Sequence, residues 1–541
     1  MTHVTRRDFL RAAGSITGTL FLASCGIGAG PGKKQIPSYR TWEDLYRDQY
    51  GWDHVARSTH SANCTGSCSW MVYVKDNVIV REEQAADYPP IHPDLPDYNP
   101  RGCQKGACYV EYVYGAQRLK TPLRRVGERG EGKWKKITWE DAFDEIAEKT
   151  LDTIYRHGPD KLAFFTVIPA MSPVSFAAGA RFAHFAGGPV LSFYDWYCDL
   201  PPGEPMTWGV QTEACECADW FHSRYIVLWG SNINATRIPD AHFAWEARYA
   251  GAKVACISPD YNASAIHTDL YLPIRPGTDA VLALGMAKII VDEGLYDAAY
   301  VKEQTDLPFL VVEATGRFLR ESDLKEGGRD DLFYVWDQRA GRAAGAPGSQ
   351  GSGERTLVLG TVDPALEGRF RVRAREGEVA VTTVFEKLRA RLASYPLEEV
   401  ARTTDLDASE ILDFTRDFAR AKPAMIIHGA GLNHWYHNDL INRALILLVA
   451  LTGNVGKNGG GFNHYVGQER IWPEEGFKKL TFPQGGKKQR FQNTTLWVWK
   501  HTEPKAELRY AGRDIAHYVD ESVAKGWMPL TAVQNPNLHK A

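Results

Sequence analysis

The chain has no excess of basic charge: 63 Lys and Arg stand against 66 Asp and Glu, leaving a net charge of -3. With a pI near 6.6 there is no positive field to grip a phosphate backbone, which sets nucleic-acid partners aside. It also lacks an apolar run long enough to span a bilayer; the best, Ala12 to Ala23, is too short for a mature transmembrane helix. There is no repeat of fixed period and no G-x-G-x-x-G dinucleotide fingerprint. Nor do the nine cysteines make a full disulfide set: without Cys25 and the three cysteines grouped with His60 below, five remain, Cys108, Cys198, Cys215, Cys217 and Cys256. An odd remainder argues for free thiols. What is present is a 541-residue, 44% hydrophobic globular chain, long enough for several structural layers, with 16 Trp and 24 Tyr to line clefts or interdomain surfaces.

His60, Cys64, Cys68 and Cys103 form a His-x3-Cys-x3-Cys-x34-Cys array. Three thiolates and an imidazole suit either tetrahedral zinc or an iron-sulfur cluster. Structural zinc usually takes its ligands from two paired knuckles. Here three ligands crowd into one short stretch and the fourth is distant, a layout that favours a cluster.

The first 32 residues resemble an export signal, with Arg6-Arg7 ahead of the apolar run and small residues after it. Paired arginines point to the twin-arginine route, which moves folded proteins to the periplasm or the outer face of the membrane. Leu22-Ala23-Ser24-Cys25 also has the form of a lipoprotein box, in which Cys25 would carry the anchor.

Residues 33–120 are expected to form a small metal-binding layer, framed by short strands Trp70–Val74 and Val78–Arg81 about an Asp76-Asn77 turn. From 121 to 420 the pattern alternates between helix (Trp139–Tyr155, Val174–Gly187) and strand (Lys161–Val167, Tyr225–Trp229, Lys253–Ile257), which predicts an α/β fold with a largely parallel sheet. An insertion or linker at about 315–380 interrupts it, its clearest flexible stretch being Gly341–Gly353. Residues 421–541 begin with a second strand-to-glycine-loop unit, Pro423–Gly431, continue into a helix at Leu440–Leu451 and end loop-rich.

Three strand-to-loop corners, Trp229-Gly230-Ser231-Asn232, Ser258-Pro259-Asp260 and Gly429-Ala430-Gly431-Leu432-Asn433, are candidates for a nucleotide-bearing cofactor, because ligands of open α/β sheets bind beyond the strands' carboxyl ends. Each alone is an ordinary tight turn; their number is the argument. The aromatic segment Ser192–Pro202 carries Asp195, Cys198 and Asp199, and a carboxylate buried there would need a charged or metal partner.

The ordered motifs HSANCTGSCSW, NPRGCQKGA, SFYDWYCDLPP, WGSNINATRIPDAHF, SPDYNASAIHTDLYLPIRPGTDA, GAGLNHWYHND and GGGFNHYVGQE resemble the catalytic α subunits of respiratory nitrate reductase and nitrite oxidoreductase, in the dimethyl sulfoxide reductase family of molybdopterin oxidoreductases. The resemblance runs from about Trp42 to Trp472. It implies a multi-domain molybdopterin oxidoreductase fold, with an iron-sulfur layer, Rossmann-like parallel-sheet domains and a C-terminal barrel-like domain that this chain stops short of.

It further implies a [4Fe-4S] cluster on His60, Cys64, Cys68 and Cys103, and a Mo-bis(molybdopterin guanine dinucleotide) with Asp199 as metal ligand and Asp195 a nearby non-ligand. Lys105 would lie between cluster and pterin. Trp229, Gly230, Ser231, Asn232, Ser258, Pro259, Asp260, Gly277, Thr278 and Asp279 would hold the guanine dinucleotides; Gly429, Gly431 and Asn433 would form a pterin-side loop, and Asn63 would line the substrate pocket. An imidazole in place of a thiolate should raise the cluster potential by removing negative charge.

The activity implied is oxyanion reduction, nitrate to nitrite, the same site also suiting nitrite oxidation. The export signal widens the range to selenate, chlorate, dimethyl sulfide and ethylbenzene enzymes. Implied partners are an iron-sulfur β subunit, a haem b membrane or periplasmic electron-transfer subunit and a cytoplasmic assembly chaperone. A non-catalytic fragment is the contrasting class.

Overall fold

The computed structural model describes residues 41–43, 50–58, 68–87, 89–90, 92–100, 102–165, 173–188, 190–191, 201–208, 215–353 and 358–464. His60, Asn63, Cys64, Asp195, Cys198 and Asp199 lie outside them, as do the signal segment and the tail. The chain divides into two compact units, with the main boundary after residue 196.

In the first unit, β1 (His54–Ser58), β2 (Trp70–Lys75) and β3 (Val78–Gln84) form an antiparallel sheet in the order β1-β2-β3. Asp76 and Asn77 turn the hairpin with φ of 50° and 61°, left-handed values that short polar side chains tolerate and that suit a two-residue hairpin. Trp70 and Val72 are buried, while alternate positions are partly open. Two small ribbons follow, β4 (Leu123–Arg125) with β5 (Trp134–Lys136), and β6 (Phe164–Phe165) with β7 (Val190–Leu191). Between them runs the helix Trp139–His157, started by the Thr138 hydroxyl, which accepts from the Asp141 N–H, and stopped at Gly158, whose φ is 93°.

The second unit is built on a five-stranded parallel sheet. Its first strands are β8 (Tyr225–Trp229), β9 (Lys253–Ile257) and β10 (Leu270–Leu272). A small β layer intervenes: β11 (Leu310–Val312), the hairpin β12 (Tyr334–Asp337) with β13 (Arg342–Gly345), then β14 (Arg369–Ala374) and β15 (Gly377–Thr383). The main sheet is completed by β16 (Ala424–His428) and β17 (Gly461–Asn463), in the order β10-β9-β8-β16-β17. Every pairing in it is parallel.

Strands β8 and β16 are buried at every position, as expected for a parallel sheet covered on both faces. Tyr225, Val227, Trp229, Ala255 and Ile257 join a core with the helix Asp279–Asp292 and the helices Val384–Leu392, Ala408–Arg420 and Asn438–Leu451. The alternate residues, Ile226, Leu228, Val254 and Cys256, project to the opposite face and are equally buried.

The described residues of the region at 315–380, expected to be an insertion or linker with a flexible stretch, include paired strands. Arg342–Gly345 pairs with Tyr334–Asp337, and Trp336 stacks on Phe370 with ring centroids 4.2 Å apart. Leu310, Leu319, Val372 and Val381 give this layer its own small core. Gly341, with φ of 62°, serves the tight turn between β12 and β13. No helix among the described residues is long and apolar enough to cross a membrane.

Candidate cofactor site at the carboxyl edge of the sheet

Strand order decides where a ligand can bind. From β8 the chain first builds outward through β9 and β10, then returns to place β16 and β17 on the other side of β8. The connections therefore leave in opposite directions from β8 and β16, opening a crevice at their carboxyl ends. Gly230 and Gly429 stand at those two ends.

Their backbones touch. Gly429 donates its N–H to the Trp229 carbonyl at 3.0 Å, and Gly230 donates to the Ile257 carbonyl at 2.8 Å. A Cβ on Gly429 would come 1.7 Å from the Gly230 oxygen, so only glycine permits this approach. Gly230 has φ of 59°, which any side chain would resist. The crevice floor is thus main chain at Gly429 and Gly230, with the Leu432 side chain packed against Gly230.

The loops around it are hydrogen-bonded to one another. Ser258, buried after β9, donates from its hydroxyl to Asp260 at 2.6 Å and accepts from Asn262 at 3.2 Å. Asp260 and Pro259 are exposed. An exposed carboxylate just beyond the second strand of such a sheet suits the hydroxyls of a ribose. Asn232, following buried Ser231, accepts from the Ser264 hydroxyl at 2.9 Å. Gly277, exposed with φ of 80°, lies under Trp435, whose ring a Cβ there would meet at 3.1 Å. The loop after β16 therefore reaches across to the loop after β10.

Two of the expected residues face inward instead. The Trp229 indole donates to Asp279 Oδ1 at 2.8 Å, and both side chains are buried. Burial raises the Asp279 carboxyl above the usual carboxylate range, the indole N–H opposing it. Thr278 caps the same helix and gives its hydroxyl to the Arg275 carbonyl. Asn433 is fully buried and accepts from Asn442 at 2.9 Å, whereas Gly431 is open, with nothing within 4 Å of a Cβ. Burial and a nearby Asp260 charge push the Cys256 thiol up to about 12, so it stays protonated behind the Ser258 corner.

Sequence reasoning passed over the polar cluster behind Asn433. His428, Asn442 and His464 are all buried: Asn442 Nδ2 lies 3.3 Å from His428 Nε2, and His428 Nδ1 lies 3.2 Å from His464 Nδ1. Its available signal was a histidine ending an otherwise apolar strand.

In the first unit, Cys68 and Cys103 are the described members of the His-Cys array. Cys68 leads into β2 two residues before Trp70; Cys103 is buried and precedes the short helix Gln104–Ala107, on which Lys105 is exposed. A Cβ on Gly102 would meet Gln84 and Trp70 at 2.7–2.8 Å, and Trp70 pairs with Gln84 across β2 and β3. The loop carrying Cys103 thus packs against the paired Trp70 and Gln84 side chains of β2 and β3. Cys103 is in no disulfide.

A parallel sheet whose strand order reverses between two touching glycine corners defines an open α/β class with a ligand crevice at the carboxyl ends of its strands. Residues 118–531 match the family described as molybdopterin oxidoreductase, and the chain belongs to that family. It is 49% identical to the respiratory nitrate reductase subunit alpha of Haloferax mediterranei over 99% of this chain and 56% of that protein. It is 45% identical to the perchlorate reductase subunit alpha of Dechloromonas aromatica, over 98% of this chain and 59% of the relative. To the dimethylsulfide dehydrogenase subunit alpha of Rhodovulum sulfidophilum it is 42% identical, over 98% and 59%. The chain therefore spans rather more than half the length of these relatives.

The family implies a molybdenum-molybdopterin cofactor. The crevice passes a test of fit: it offers a floor that no Cβ can occupy, and loop donors and acceptors at the carboxyl ends of three adjacent strands.

Proposed function

We propose that this chain carries the catalytic site of a molybdenum-dependent oxyanion oxidoreductase that reduces nitrate to nitrite. The observation that carries the reading is the Gly429–Gly230 backbone contact at the switch point, where a bulky, anionic, nucleotide-bearing cofactor can lie against main chain. Likeness to a nitrate reductase subunit over nearly the whole chain supports the substrate. Likeness to perchlorate, chlorate and dimethylsulfide enzymes keeps related substrates within reach of the same site.

A bis(molybdopterin guanine dinucleotide) form would lie along the loops Gly230–Asn232, Ser258–Asp260, Gly277–Thr278 and Gly429–Asn433. Asp199 would supply the metal's carboxylate, and His60, Cys64, Cys68 and Cys103 would hold a [4Fe-4S] cluster. When bound, the molybdenum centre supplies two-electron oxygen-atom transfer. The balance is nitrate plus two electrons and two protons giving nitrite and water.

The protein's own contribution is to bind and orient. Exposed Asp260 would accept from sugar hydroxyls, the glycine corners would admit the phosphates, and Lys105 places a positive charge two residues after Cys103. Asn63 is assigned to the substrate pocket. Electrons would enter through an iron-sulfur subunit and a haem-bearing partner, on the outer face of the membrane after twin-arginine export with the help of an assembly chaperone.

The test is metal analysis of the purified protein followed by turnover with reduced viologen on nitrate, chlorate, perchlorate and selenate. Molybdenum present and nitrate the fastest substrate is the expected result. A molybdenum-loaded protein that turns over chlorate or perchlorate but not nitrate would overturn the substrate, and a protein that takes up no molybdenum would overturn the reading. Asp199→Asn should abolish turnover while iron is retained, and Asp195→Asn should not.

A further inference from the structure

One side chain joins two stretches of chain that the proposed function needs together. Gly203 opens the helix Gly203–Trp208 and donates its N–H to Asn442 Oδ1 at 3.1 Å. A backbone N–H can only donate, which fixes the Asn442 amide with its oxygen toward Gly203 and its nitrogen away. From that nitrogen Asn442 donates to Asn433 Oδ1 at 2.9 Å, and the same Nδ2 lies 3.3 Å from His428 Nε2. Asn433 belongs to the loop after β16, the loop that starts at the crevice floor with Gly429.

The contact is close as well as polar. Asn442 lies near the start of the helix Asn438–Leu451, and Gly203 is pressed onto it. A Cβ on Gly203 would come 2.5 Å from Asn442 Cβ and 2.7 Å from the Asp439 carbonyl oxygen, so no side chain fits there without moving backbone. Gly203 and Asn442 are both buried, Asn442 completely, so water does not replace either bond. The Thr207 hydroxyl makes a different kind of bond, donating to the Gly203 carbonyl at 2.7 Å inside the short helix itself.

Asp199 stands four residues before Gly203 in the sequence. Four residues of fully extended chain reach at most about 14 Å, so holding Gly203 tethers the carboxylate that the proposed function assigns to the metal.

We propose that Asn442 is a positioning residue whose amide fastens the segment carrying Asp199 to the loop that floors the crevice, and that residue 203 is glycine so that this junction can close. A metal carboxylate serves only if it is held to a fraction of an ångström. A buried amide, with its acceptor committed to one segment and its donor to the other, sets the spacing between them. The junction follows from the structure, while the role of Asp199 rests on the function proposed above.

Asn442→Ala in the full chain tests both parts. Hydrogen exchange read by mass spectrometry reports on the junction without the cofactor. The Gly203–Trp208 segment should exchange about fivefold faster or more, as loss of one buried hydrogen bond implies, while β8 and β9 keep native protection. Unchanged exchange overturns the junction, and so does a rise shared equally by β8 and β9.

In the molybdenum-loaded variant, kcat for nitrate should fall about tenfold to a hundredfold, with KM within about threefold of native. The molybdenum X-ray absorption spectrum should change in its oxygen-ligand shell at unchanged iron content. A native spectrum with native kcat overturns the positioning role. Thr207→Val disturbs the same short helix but leaves the Asn442 bridge in place, so its kcat should stay within about threefold of native. A loss matching that of Asn442→Ala would trace the effect to a loosened helix and overturn the role of the bridge. Should Asn442→Ala fail to fold, Asn442→Ser, which keeps a small hydroxyl in the site, carries the same comparison. A native protein without molybdenum would instead defeat the proposed function, with the exchange data still deciding the junction.

Discussion

Trp229 and Asp279, 50 positions apart in sequence, share a hydrogen bond inside the core: the indole ending β8 donates to the carboxylate opening the helix Asp279–Asp292. The bond ties the first strand of the sheet to the helix covering it. Trp229→Phe leaves the buried carboxylate without its indole donor and should destabilise the protein by roughly 1–3 kcal/mol beyond the loss of ring volume. Because Asp279 titrates above its ordinary range, its folded environment favours the protonated form, a contribution present at low pH and lost as pH rises through the folded value. The variant's deficit should therefore be larger at neutral pH than in acid. Denaturant melts of Trp229→Phe, Asp279→Asn and the double variant check this, with a coupling near zero telling against the bond.

Gly429 and Gly431 are separated by one residue but differ in what surrounds them. Gly429→Ala drives a Cβ into the Gly230 carbonyl, which only a backbone shift can relieve, so it should cost about 3 kcal/mol or more and deplete bound molybdenum. Gly431→Ala meets nothing and should stay within about 0.5 kcal/mol of native. Thermal denaturation and metal content of the two variants, measured side by side, give the contrast.

His428 sets an acid limit. Its ordinary value of 6.5 falls to about 3 in the folded chain, because burial disfavours the imidazolium and Arg237 adds to the effect. Between those values the unfolded chain binds a proton that the folded chain does not, so stability rises with pH and is lost as pH falls. The slope from this one group is roughly 1.4 kcal/mol per pH unit across that window. His428→Gln should flatten the fall in unfolding free energy between neutral pH and pH values near 5. An unchanged slope would show that His428 is already protonated when folded.

Cys103 is buried where its loop seats on Trp70 and Gln84. Cys103→Ala should remove the four-iron signal and lower molybdenum occupancy, measured by elemental analysis and electron paramagnetic resonance. Native iron content in that variant would remove Cys103 from the ligand set.

Much of the main sheet was legible in the sequence because its strands are continuous apolar runs closed by polar or glycine corners. Tyr225–Trp229 and Lys253–Ile257 fall where that pattern places them, and the expected helix at Leu440–Leu451 lies within Asn438–Leu451. Composition failed where glycine and alanine masked a hairpin: Arg342–Gly345 has little apolar signal of its own and is ordered by pairing with β12.

At the site, sequence position located the corners but not the side-chain directions. Trp229 and Asp279 turn inward because an indole N–H and a carboxylate can satisfy each other within the core. The His428–His464 contact joins residues 36 apart in sequence through strand pairing, which no local motif reports.

The strand order also sets a timetable for synthesis. Strand β8 emerges from the ribosome with β9 and β10 soon after it, yet its other edge pairs with β16, which begins at residue 424. Until that point the centre of the future sheet is an unpaired, wholly apolar edge, the kind of surface that joins to other chains if left uncovered. The Gly230–Gly429 floor cannot exist before then either. Cofactor capture at the proposed site would then be a late event in biogenesis, and the nascent chain has to be kept from aggregating through the long interval between its first central strand and that strand's partner.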